Sequence, residues 1–177
     1  MTKKSHRWIG KTLNYACTFA LGALPLYWLF LRFSPDTLRH GLRHMLPIDI
    51  QWETVQAWQL EGAWYLALLG IGVACACLYT LRPVLRQFSQ GLFFNLKNSL
   101  ALRRLSRLLL LQAVLNPVFT SLAGVLLSWN HPSGQRMLAV SFSSQSFQLI
   151  LMSGLMLMIS ELLVEGCALV EENQQFI

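Results

Sequence analysis

Four strongly apolar stretches, each of roughly twenty residues, set the terms on which this chain can fold. They run over 12–31, 62–81, 108–129 and 142–163. At about 1.5 Å of rise per residue, each is long enough to cross a hydrocarbon core of about 30 Å. Inside lipid every backbone N–H and C=O must be satisfied within the protein. Continuous apolar runs do this as helices, whereas a membrane barrel would need alternating polarity. The expected fold is therefore all-α: one membrane domain over 1–177 with four transmembrane helices and short amphipathic interfacial helices.

Composition agrees. Hydrophobic residues make up 54% of the chain and charged residues only 12%, about half the charge of an ordinary soluble domain. A water-soluble fold, a disordered chain and a disulfide-stapled scaffold are excluded together. The net charge of +6 would point to nucleic acid in a soluble protein. Here the basic residues flank the apolar runs, so the expected partner is the lipid bilayer and not nucleic acid. Cys17, Cys75, Cys77 and Cys167 lie in or beside those runs. Cys75 and Cys77 point about 160° apart on a helix, and all four read as small packing residues.

Lys3, Lys4, Arg7 and Lys11 precede the first run and imitate the head of a signal peptide. Apolar sequence continues through Leu24, Leu26, Trp28 and Phe30, past any small-residue cleavage site, so the segment is expected to stay as an anchor. Lys and Arg then orient the chain. Ten fall in the N-terminal segment and the connection 82–107, against four in the outer loop 32–61 and the third connection. This places both termini, the connection and the tail 164–177 in the cytoplasm of a bacterial inner (plasma) membrane protein. Trp64 and Trp129 at outer ends and Trp8 near an inner one are expected to anchor at the interfaces.

In the outer loop, Ser34-Pro35-Asp36 starts a helix with a capping hydroxyl, an N1 proline and a first-turn acid. Leu38, Leu42 and Met45 share about 60° of its wheel, which predicts a short helix lying on the membrane surface and ending near Pro47. His40 and His44 have metal-ligand spacing, but they point away from the apolar face beside Arg39 and Arg43, so a solvated face is expected and no metal. Trp52, Trp58 and Trp64 are expected to seat the loop at the interface.

The cytoplasmic side carries the most patterned polarity. Arg82-Pro83 is expected to end the second membrane helix. Gly91 to Asn95 reads as a turn into a helix capped by Asn95, running on into the third span. Leu102, Leu105 and Leu109 take one face of it, and Arg103, Arg104 and Arg107 gather over about 100° of another. Past the fourth span, Glu161, Glu165 and Glu172 share a stripe about 40° wide. Antiparallel neighbours would bring Arg103 and Arg107 near Glu161 and Glu165. That charge cluster has two readings, an interhelical salt-bridge set that fixes register and a docking surface for a cytoplasmic partner or acidic headgroups.

Phe88, Gly91, Phe94, Asn98, Leu102 and Leu105, with the tail residues Glu161, Gly166, Leu169, Glu172, Phe176 and Ile177, resemble the two signatures of the bacterial "domain of unknown function 2975" family. Asn95 and Lys97 stand where that family more often carries an acid or a serine. The order of spans resembles the family over nearly the whole chain. The resemblance implies a four-span inner-membrane protein of unassigned activity. Because members are often encoded beside a small helix-turn-helix regulator, it also implies a regulatory role. It supplies no catalytic residue and no cofactor.

Within the membrane, Asn116-Pro117 predicts a kink in the third helix, with Asn116 bonding either the carbonyl that proline frees or a neighbouring helix. Gly70, Gly72, Gly124, Ser153 and Gly154 permit close helix approach without making a small-xxx-small dimer motif. Met152, Met156 and Met158 read as packing residues. No phosphate-binding glycine loop, Gly-x-Ser-x-Gly elbow or His-Glu-x-x-His is present, so the sequence points away from an enzyme. The expectation is a non-enzymatic regulatory or accessory protein that contacts a partner at its cytoplasmic face. The alternative is a small transporter or oligomeric pore, for which Gln112, Asn116 and Gln148 are the only candidate lining residues.

Overall fold

The computed structural model describes residues 3–46, 50–91, 95–131 and 143–175, which are helical with no strand. Five α-helices follow one another: α1 (Lys3–Phe33), α2 (Pro35–Met45), α3 (Ala57–Ser89), α4 (Leu96–Leu127) and α5 (Ser144–Gln175), with a 3-10 turn at Trp52–Thr54. α1, α3, α4 and α5 are long and apolar enough to cross a membrane. The chain is an all-α, multi-pass membrane protein.

Each membrane helix is longer than its apolar run, because a helix once nucleated propagates at the gain of one backbone bond per residue. The segment before the first run is helical from Lys3, and Pro83 lies inside α3 instead of ending it. Proline removes the bond to the carbonyl of Tyr79. Val84 and Phe88 just beyond it pack with Leu102 and Leu105 of α4, and this apolar contact holds the continuing turns in place. The chain then turns at Gly91, whose φ of 81° suits a residue without Cβ. Asn95 caps α4 by accepting from the Lys97 N–H at 3.0 Å.

The four membrane helices pack in chain order, α1 on α3, α3 on α4 and α4 on α5. α1 and α5 therefore each meet one neighbour and turn apolar faces, such as Phe19, Leu26 and Phe30 or Leu151, Leu155 and Met158, toward lipid. The α1–α3 seam begins at Gly10, where a Cβ would stand 2.9 Å from the Ser89 Cβ and 3.0 Å from its Cα. It continues through Cys17, whose thiol donates to the Leu78 carbonyl at 3.5 Å. It ends at Trp28 and Trp64, stacked with centroids 5.9 Å apart, and at the 2.7 Å Arg32–Glu61 ion pair.

The loop end is tightly closed. α2 starts where the sequence predicts, although the Ser34 side chain makes no cap bond. Its apolar face does not lie on lipid: Leu38 and Leu42 are buried in a core shared with Leu31, Ile50, Leu60 and Leu127. Protein covers that face because α1, α3 and α4 end at the same level and leave an apolar surface there. Trp64 belongs to this core and donates its Nε1–H to the Trp28 carbonyl, so it is not an interfacial anchor. Trp52 packs against the same core and under the Arg43 guanidinium, whereas Trp8, Trp58 and Trp129 are exposed. Beside the core, the fully buried Gln59 amide donates to the carbonyls of Leu126 and Leu127, and its oxygen accepts from the Gln56 N–H and the Asn130 amide. One side chain thereby caps the end of α4 and the start of α3.

Gly10→Val should lower stability by about 1–3 kcal/mol, since its new atoms have only the Ser89 backbone to displace. Gly22, where an added Cβ would meet nothing within 4 Å, is the control. Thermal midpoints in neutral detergent should fall for Gly10→Val and hold for Gly22→Val.

Candidate functional site at the basic end of the bundle

The end of the bundle carrying the α3–α4 turn is built around a ladder of serines between α4 and α5. Ser99 Oγ donates to the Ser160 carbonyl at 3.0 Å, and Ser160 Oγ returns a bond to the Ser99 carbonyl at 3.0 Å. Seven residues further along α4, Ser153 Oγ donates to the Ser106 carbonyl at 2.8 Å, with the two hydroxyls 3.1 Å apart. All four are buried. The same antiparallel register places Ala113 opposite Ser146, and both are fully buried. A repeat of seven keeps one narrow seam facing the partner helix, and small side chains let the two backbones approach.

This register decides which charges meet. Glu161 lies one residue beyond Ser160, and Arg103 lies four residues after Ser99 in the opposite axial direction. The resulting gap of about 7.5 Å is one that two long side chains span. Arg103 does pair with Glu161. Arg107 and Glu165 are separated by roughly 13 residues of rise, about 20 Å, so they cannot meet. Arg104, Arg107 and Glu165 are exposed and form no ion pair among the described residues. The Glu172 side chain lies outside the described residues, as do Phe94, Phe176 and Ile177. The Arg103–Glu161 pair is partly exposed, at 37% and 52%, and such a pair contributes about 0–1 kcal/mol. The serine seam, not this pair, sets the register.

On the other flank of α4, Val84 of α3 packs with Leu102 and Leu105, and the Asn95 amide donates to Gln87 Oε1 at 3.1 Å. Between the helices lies a cleft of about 350 Å³. Tyr79, Thr80 and Pro83 line it from α3, and Lys97, Ala101 and Arg104 from α4.

Nearer the middle of α4, Pro117 is accommodated within a continuous helix. Thr120 Oγ1 and Ser121 Oγ donate back to the Pro117 carbonyl at 3.0 and 2.7 Å, a local bonding that bends helices. Asn116 bonds neither the freed carbonyl nor another helix through its oxygen. That oxygen accepts from Gln112 on the same helix at 3.2 Å. At the loop end, His40 and His44 stack edge to face, and among the described residues no three His, Cys, Asp or Glu side chains gather in a metal-binding group.

The serine ladder escapes a scan for small residues four apart, because its period is seven. Ser99 and Ser106 together with Ser146, Ser153 and Ser160 carry the signal, spaced alike on two long helical segments. Comparison with family models, with curated proteins and with solved structures finds no match for the chain.

Paired cysteines test the register. In a background where the four native cysteines are Ser, Ser106→Cys with Ser153→Cys should cross-link on mild oxidation, and Arg107→Cys with Glu165→Cys should not. Cross-linking of the second pair in place of the first would refute the seam.

Proposed function

We propose that this is a non-enzymatic accessory or regulatory protein of a bacterial plasma membrane, with both termini and the basic end in the cytoplasm, that docks an acidic segment of a protein partner there. The resemblance to the four-span family of unknown function is part of the same reading. The observation that carries it is the unequal use of the three arginines. Arg103 serves the fold through Glu161, while Arg107 is exposed and has no ion pair among the described residues. A guanidinium at this level, level with or just outside the hydrocarbon, costs the protein helix stability unless water, a headgroup or a partner receives it. A partner carboxylate would meet it with bidentate geometry.

A second reading, a small transporter or pore, has one observation in its favour. Gln112 Oε1 is buried without a hydrogen bond, beside Asn116 and opposite Gly70. A flux assay in liposomes decides that reading, and solute or ion movement abolished by Gln112→Leu is the outcome that would replace the docking proposal.

The docking proposal is tested by chemical cross-linking in native membranes followed by mild-detergent purification and mass spectrometry. The intact protein should recover one dominant protein partner. Arg107→Glu should reduce that recovery by about tenfold or more, a charge reversal worth at least about 1.4 kcal/mol at an interface. Arg39→Gln, on the lid at the far end, should leave it unchanged. An identical partner set with Arg107→Glu sinks the proposal.

A further inference from the structure

We propose that the cleft between α3 and α4 at the basic end is a binding site for the headgroup of an anionic phospholipid of the adjoining leaflet. Three features converge on this. The first is charge. Lys97 and Arg104 are seven residues apart, so they stand on one face of α4 about 10 Å apart along its axis. Both line the cleft; among the described residues no acid lines it, and neither cation forms an ion pair. The nearby Glu161 is engaged by Arg103, which points to the α5 side of α4.

The second feature is depth. Counted about 20 residues from the exposed Trp129 along α4, the hydrocarbon ends near Leu109, which the packing of Val84 on Leu102 and Leu105 sets near the level of Tyr79. Arg104 thus stands about 7.5 Å outside the hydrocarbon, at the level of the headgroups, with Lys97 about two turns further out along α4 and Tyr79 at the hydrocarbon boundary. The third feature is shape. The cleft is open toward the membrane, with Tyr79 71% and Leu100 54% exposed at its rim, so an acyl chain can leave along apolar surface while the phosphate stays between the cations. The positive end of the α4 dipole adds to the same field. A soluble anion would gain from the cations alone. A phospholipid gains from cations and apolar rim together, and its concentration in the leaflet is high.

The site does not share Arg107 with the docking face, so either proposal can fail without the other. The test uses the full chain in neutral detergent, offered equimolar phosphatidylglycerol and phosphatidylcholine and read by native mass spectrometry. One phosphatidylglycerol should be retained in preference. Lys97→Gln with Arg104→Gln should weaken its retention about thirty-fold, from two basic contacts near the surface. Ala101→Phe fills the cleft, keeps both charges and should also remove the bound lipid. Arg39→Gln should have no effect, and inorganic phosphate should not displace the lipid. Helical circular dichroism and monodisperse gel filtration confirm that each variant is folded. Should the double variant fail to fold, Ala101→Phe and the phosphate competition decide alone. Equal retention of phosphatidylcholine, retention unaffected by Ala101→Phe, or displacement by inorganic phosphate would each overturn the proposal.

Discussion

The reciprocal bonds between Ser99 and Ser160, with the bond from Ser153 to the Ser106 carbonyl seven residues along, are the contact on which the rest of the basic end depends. In lipid, apolar side chains gain little by leaving the tails for one another, so a register cannot be fixed by hydrophobic burial alone. Small hydroxyls solve the problem differently. They let the helices close to van der Waals distance, and they leave one arrangement in which every hydroxyl finds a carbonyl or another hydroxyl. Each such bond is worth only about 0.6 kcal/mol in a membrane. Sliding α5 by one residue breaks all of them at once and presents larger side chains to the seam.

Everything at the basic end follows from that register. With Ser99 level with Ser160, Arg103 reaches Glu161 and Arg107 stays far from Glu165. A charge cluster that could have neutralised itself is split into one internal pair and several outward-facing groups. The same seam turns α4 so that Leu102 and Leu105 meet Val84 of α3. Lys97 and Arg104 are then left on the flank that borders the cleft. The exposed cations are a geometric remainder of helix packing.

The fold class was legible because the bilayer is a harsh solvent: long uncharged runs have one way to satisfy their backbone there. The α2 helix was legible from Ser34-Pro35-Asp36 and from the arc of Leu38 and Leu42, and the Gly91 turn and Asn95 cap from local backbone chemistry. What covers a face was not legible. Amphipathicity at Leu38 and Leu42 is the same whether lipid or protein receives them, and Trp64 reads as an interfacial residue until Trp28 is found stacked on it. Pro83 reads as a stop because the contact that keeps α3 going comes from α4. The charge cluster was half legible. Residue type and helix face singled out Arg103 and Glu161, but the pairing depends on an axial register that only the seven-residue serine repeat encodes.

The two ends of the bundle differ in how they treat polar groups. At the loop end, the Gln59 amide makes bonds to Leu126, Leu127, Gln56 and Asn130, and Arg32 holds Glu61. α2 closes over the apolar ends of the helices, so that surface is occupied by the chain itself. At the basic end, α4 is 32 residues long, about 18 Å more than a hydrocarbon core of about 30 Å requires. The excess adds nothing to the membrane crossing. It carries a seam, a cleft and cations that the fold leaves facing outward.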